Sequence, residues 1–129
     1  MEREVIYTEN AMAPTGPFVQ AIKVGHFLFM SGFRGIDPVT NRVPRGDIRT
    51  EARQVFENIK AVVETAGGKM EDIVATTVYV RDMYRHRPVI NALYEVYFGD
   101  AFPTRTIVEV SRLNGDGNIE ITAATAYIP

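Results

Sequence analysis

The chain has 129 residues, 46% hydrophobic and 23% charged, and a formal net charge of -2. That length suits a single domain spanning residues 1–129 with one core, and the balance is that of a globular protein. The slight acidity gives no electrostatic reason for nucleic-acid binding, and the lack of any cysteine excludes disulfides, thiolate nucleophiles and cysteine-ligated zinc together.

No apolar run approaches the roughly 20 residues of a membrane span, and the N-terminal MEREVIYTEN carries charges where a signal peptide has its apolar segment. A cytoplasmic protein without membrane contact is expected. The two histidines, His26 and His86, fit no metal-ligand spacing, so neither metal nor cofactor is expected.

Along the chain, FVQAIKVGHFLFMSG (18–32) holds two apolar runs separated by Gly25-His26, which predicts a hairpin with His26 in its turn. DPVTNRVPRGD (37–47) reads as an irregular loop. Ile48, Ala52, Val55, Ile59, Val62 and Ala66 recur at spacings of four and three and predict a helix over 48–66, capped by Asp47 and ended by Gly67-Gly68. DIVATTVYV (72–80) predicts a strand buried on both faces. A second helix is predicted over 88–98, with Pro88 in its first turn and Ile90, Leu93, Tyr94, Tyr97 and Phe98 on its apolar side.

Strands at 104–111 and 118–127 follow, and the Asn-Gly and Asp-Gly pairs of RLNGDGN predict that they form a hairpin. The order β-β-α-β-α-β-β gives an α+β fold, two helices on one face of a mixed sheet. Its other face has no helix to cover it, which predicts association with further copies. In FPTRTIVEV, period-two alternation puts Arg105 on one side with Ile107 and Glu109. Thr106, Val108 and Val110 form the side that looks packed. An exposed edge explains the arginine, and so does a pocket for a carboxylate.

Several segments, taken together, resemble the RidA (YjgF/YER057c/UK114) family: GPFVQA (16–21), FMSG (29–32), GID (35–37), ENIKAVVETAGG (57–68), INALYEVYFG (90–99), FPTRTIVEVSRL (102–113) and IEITAATA (119–126). The resemblance spans nearly the whole chain. It implies a chorismate-mutase-like fold, a homotrimer with ligand sites between subunits, and hydrolysis of small reactive 2-enamino and 2-imino acids to 2-keto acids and ammonia, a form of metabolite damage control.

On the same resemblance Arg105 matches the carboxylate-binding arginine, and a guanidinium suits that task because its planar fork makes two parallel charge-assisted hydrogen bonds. Glu120 matches the acid that orients the attacking water, although a half-exposed strand glutamate has the same local pattern. Pairing 109 with 120 in the expected hairpin would separate the Arg105 and Glu120 α-carbons by roughly 13 Å. Ser31 and Gly32 match a backbone-lined pocket edge, Asn91 a nearby asparagine, and Ile107 a position acting through its backbone N–H.

Phe18 replaces the tyrosine of GPYSQ relatives, so that hydroxyl is absent. GFRGID departs from the commoner GQIPID and brings in Arg34, either a solvated loop residue or a second cation suited to a doubly acidic substrate such as 2-aminomuconate. RDMYRHRP (81–88) collects three arginines and His86 at a helix start, where Asp82 is the simplest compensating charge. This run reads as a solvated face or as a site for an anionic partner, RNA included, since some relatives have been described as ribonucleases. A third possibility is a non-catalytic sensor of small acids, which would use Arg105 without requiring Glu120.

Overall fold

The computed structural model describes residues 2–129, with the side chains of all of them except Ala123 and Ala124. The strands are β1 (Arg3–Ile6), β2 (Ala21–Val24), β3 (Phe27–Met30), β4 (Gly32–Arg34), β5 (Ile73–Val80), β6 (Thr104–Glu109) and β7 (Ile119–Tyr127); the helices are α1 (Ile48–Thr65) and α2 (Met83–Phe98). They form one sheet in the order β1-β2-β3-β7-β5-β6, with β4 also on β7. All pairs are antiparallel except β5 with β6, which are parallel because α2 carries the chain back between them.

Alternation along the strands separates two faces. Leu28 and Met30 on β3, Val78 and Val80 on β5, and Ile119 and Ile121 on β7 are buried on the helix side. The apolar stripe of α1 meets them with Ala52, Val55, Ile59 and Val62, all buried, and each such Val or Ile contributes about 1.5–3 kcal/mol. Phe56 joins α1 to α2, its ring stacked on Tyr97 and edge-on to Tyr94. On the other face Phe27, Phe29, Val108 and Tyr127 remain exposed, as expected for a sheet with both helices on one side.

Asp47 caps α1 as expected, its Oδ1 accepting from Thr50 N at 3.0 Å. Gly67 has φ +92° just beyond the end of α1, a conformation that favours glycine. The Gly25-His26 turn joins β2 to β3, and His26 Nδ1 lies 2.8 Å from Ile128 O.

Four expectations are corrected. β6 and β7 do not form a hairpin: β7 lies on one side of β5 and β6 on the other. Residues 110–118 therefore step across the end of β5, a distance of roughly 10 Å, and are tied there by Val110 N to Val80 O and Arg81 N to Asn118 O. The Asn-Gly and Asp-Gly pairs shape this crossing and make no tight turn.

The second correction concerns β5, which is buried on its helix side only; Val74 is exposed and Thr77 and Tyr79 are half-buried on the other. The third reverses the faces of β6. Arg105 and Ile107 lie on the half-buried helix side, whereas Thr106 and Val108 occupy the exposed side. An edge strand beside α2 gains cover only where the helix reaches it.

Finally, α2 starts at Met83 and Pro88 is inside it. Asp82 turns the chain at φ 52° and makes no side-chain cap. Glu109 supplies the cap, with Oε1 accepting from Met83 N at 2.9 Å, so its carboxylate also meets the positive end of the helix dipole. The strand β1, pairing with β2, was not anticipated.

Candidate functional site

The crossing residues 110–118 are held by two buried charged side chains. Glu51 on α1 accepts from Asn118 N, from Asn118 Nδ2 at 3.0 Å and from Ile119 N at 3.2 Å. Arg34 on β4 donates from Nη1 to Asn114 O at 2.7 Å. This places a stable wall beside β4 and the middle of β7, and the expected site residues lie in two separate clefts on either side of the sheet.

The first cleft has a volume of about 310 Å³ and lies between α2 and the start of β6. Arg105 projects into it from the edge strand. Its Nη1 donates to Asn91 Oδ1 at 2.7 Å, and its guanidinium carbon lies 4.9 Å from the centre of the Tyr94 ring, a cation–π geometry. Tyr94 is itself fixed, donating to Thr76 Oγ1 at 2.8 Å, and Thr76 donates to Thr104 O at 2.8 Å. Burial raises the Tyr94 pKa, opposed by the Thr76 hydrogen bond and the Arg105 charge, so the phenol remains a donor at neutral pH.

No carboxylate lies within ion-pair distance of Arg105 among the described residues. Its fork is therefore oriented by Asn91 and Tyr94 while its remaining N–H groups are available to an incoming anion. Ile107 follows on the same face, paired with Val78. Sequence reasoning pointed to Arg105 and Asn91, which the structure brings together; it placed Tyr94 on the packed side of α2, where it is buried, without seeing that its ring also faces Arg105. The signal was the spacing of three between Asn91 and Tyr94, which puts both on one helix face.

The second cleft, about 320 Å³, includes Phe18, Ser31, Gly32, Arg34, Asn114 and Glu120 in its lining. Glu120 belongs to the face opposite Arg105, since its strand neighbours Ile119 and Ile121 are buried beneath the helices. Its carboxylate lies over Gly32: a Cβ added there would come within 2.5 Å of Glu120 Oε2. Gly32 thus makes the space that Glu120 occupies. Ser31 donates to Val19 O at 2.7 Å and so fixes the backbone beside it. Phe18, 46% exposed, forms an apolar rim.

Arg34 is not a solvated loop residue. It is on β4, paired with Glu120 in the strand register, and 8% exposed. Asn58 Nδ2 donates to its carbonyl at 3.0 Å, which fixes the backbone from below.

Arg105 and Glu120 do not come together in one chain. β5 lies between their strands and they project from opposite faces, so the expected cross-hairpin pairing is overturned. Chemically, one cleft can hold a carboxylate and the other can position water. Among the described residues no three His, Asp or Glu side chains gather as a metal site would require, and no helix is long and apolar enough to cross a membrane.

Comparison with known proteins gives the same architecture. The model of the family described as Endoribonuclease L-PSP matches residues 8–128. A RutC family protein of Pyrococcus horikoshii is 50% identical over 121 residues, covering 94% of this chain and 95% of that protein. The 2-iminobutanoate/2-iminopropanoate deaminase of Escherichia coli is 45% identical over 123 residues, covering 93% and 94%. The crystal structure of Escherichia coli TdcF with bound serine superposes with a TM-score of 0.91 at 35% identity, covering 98% of this chain and 99% of that one. By its match over nearly its full length, the chain belongs to the RidA (YjgF/YER057c/UK114) family, the family of the Endoribonuclease L-PSP model.

Proposed function

We propose that the protein hydrolyses 2-imino acids, and the 2-enamino acids that tautomerise to them, to 2-keto acids and ammonia in a cytoplasmic homotrimer. The observation that carries this reading is an arginine fork oriented by Asn91 and Tyr94 with no carboxylate of the described residues within ion-pair distance. Such a fork matches the carboxylate next to the C=N carbon. The activity of the Escherichia coli relative and the serine bound by TdcF favour the same chemistry.

In this reading Arg105 holds the substrate carboxylate and Glu120 receives a proton from the attacking water. The oxygen of that water bonds to C2 as the C=N π electrons move to nitrogen. Glu120 then returns the proton to the amine; as the carbinolamine collapses its hydroxyl proton passes to the Glu120 carboxylate, ammonia leaves and takes up that proton as ammonium, and the ketone remains. The protonated imine is already electrophilic, so positioning and proton transfer suffice.

Because the two groups face away from each other in one chain, we assign each site to two copies, Arg105 and Asn91 from one and Ser31, Gly32 and Glu120 from its neighbour. The exposed Phe27, Phe29, Val108 and Tyr127 supply an apolar surface for this contact. Glu120→Gln should leave carboxylate binding largely intact while slowing turnover about 10²-fold, the usual contribution of a positioned acid-base group. Arg105→Ala should abolish both binding and turnover. Imines generated in the cuvette by a serine or threonine dehydratase, with keto-acid formation followed above the spontaneous rate, give the readout. Binding that depends on Arg105 without any catalysis would indicate a sensor of small acids.

A second reading, action on RNA, draws on the family model's description and on a separate cleft lined by Arg81, Arg85 and His86. It predicts RNA cleavage unaffected by either substitution above.

A further inference from the structure

Among the described residues of the candidate clefts, Arg34 is a buried cation with no ion-pair partner. It is 8% exposed, and its only side-chain hydrogen bond among the described residues runs from Nη1 to Asn114 O. That carbonyl needs a donor and no charge. No carboxylate lies within ion-pair distance of the guanidinium among the described residues, and a charge largely withdrawn from water favours a counter-ion.

No buried side-chain nitrogen is left without a partner among the described residues. The other guanidinium N–H groups therefore retain contact with the cleft that Arg34 shares with Glu120 and Ser31. The side chain starts from a fixed backbone: its carbonyl accepts from the buried Asn58, and its N–H meets Met12 Sδ at 3.3 Å. It is opposite Glu120 in the β4–β7 register, so it flanks the proposed water-positioning carboxylate on the same sheet face.

We infer that Arg34 recognises a second carboxylate, carried on the side chain of the substrate, and that the preferred substrates are 2-imino dicarboxylic acids. This inference rests on the reading in which Arg105 takes the carboxylate beside the imine and Glu120 serves the imine carbon. Arg34 acts as a specificity residue: it binds the distal end of the substrate and takes no part in proton transfer. A planar fork with one edge anchored to Asn114 O presents its remaining donors in the geometry a carboxylate needs.

Unreactive keto acids separate this role from catalysis. Titration calorimetry would compare 2-oxoglutarate with 2-oxobutanoate on the intact protein, Arg34→Gln, Arg34→Lys and Arg105→Ala. The wild type should bind the diacid more tightly. Arg34→Gln, which removes the charge and keeps a polar side chain, should weaken diacid binding by about tenfold or more, as expected for loss of a charge-assisted contact. It should leave 2-oxobutanoate within about twofold. Arg34→Lys should give an intermediate diacid affinity, and it keeps the buried charge should the glutamine variant fail to fold.

With 2-iminoglutarate made in situ by an amino-acid oxidase, Arg34→Gln should raise KM and leave kcat unchanged. Equal weakening of both keto acids, or of neither, would overturn the inference. Loss of discrimination on Arg34→Gln in a protein that hydrolyses no imine would uphold the role of Arg34 and sink the deaminase reading. Binding unaffected by Arg105→Ala would remove that arginine from the site.

Discussion

Single residues decide how each half of the site is arranged, and two of them act through what they leave open. Gly32 has no side chain, and Glu120 lies where one would be. Gly32→Ala should displace the Glu120 carboxylate and reduce kcat by about tenfold or more, with the far-ultraviolet circular dichroism spectrum unchanged. Arg105 is held by Asn91 and Tyr94 rather than by an acid. Asn91→Ala should therefore raise KM more than it lowers kcat, because a guanidinium free to reorient loses preorganisation and not charge. Steady-state kinetics on one imine would show the split. The sequence pointed to Arg105, Asn91, Gly32 and Glu120 because each belongs to a recognisable segment, and the structure places the first two in one cleft and the last two in another. The sequence concealed Tyr94 and Asn114, the first because a tyrosine on an apolar helix side reads as packing, the second because its contribution is a backbone carbonyl.

At the scale of elements, local pattern was legible and strand order was not. The apolar spacing from Ile48 onward and the Gly25-His26 turn gave α1 and the β2–β3 hairpin nearly to the residue. Pro88 misled the reading of α2, since a proline tolerated within the helix looks in sequence like the start of one. The Asn-Gly and Asp-Gly pairs implied a tight turn, but β7 pairs with β5 and leaves residues 110–118 to cross over it. Nothing local in NGDG encodes that choice; it follows from which strands bury Ile119 and Ile121 against the helices. Glu51 holds this crossing. Glu51→Ala would leave the backbone N–H groups of Asn118 and Ile119 without their acceptor, at a cost of about 2–4 kcal/mol. Urea denaturation should show the midpoint falling accordingly, and a loss below about 0.5 kcal/mol would mean that the crossing is held by other contacts.

The whole molecule poses the question that no one chain answers, because Arg105 and Glu120, the groups proposed to hold the carboxylate and to position water, lie on opposite faces of one sheet. The exposed aromatic face is the surface on which the proposed assembly would bring them together. Sedimentation equilibrium should give a trimer at micromolar concentration, and a monomer would remove the shared site. The most direct test mixes two inactive proteins. Arg105→Ala and Glu120→Gln would be denatured together in equal amounts and refolded, so that subunits assemble at random. In a trimer whose sites each take Arg105 from one copy and Glu120 from the next, about three quarters of the assemblies contain both variants, and each of these has one intact site, restoring about a quarter of wild-type activity. Recovery to that level is the predicted result. No recovery from a mixture that has demonstrably formed mixed trimers would contradict the account, since it would mean that Arg105 and Glu120 do not meet across a subunit boundary.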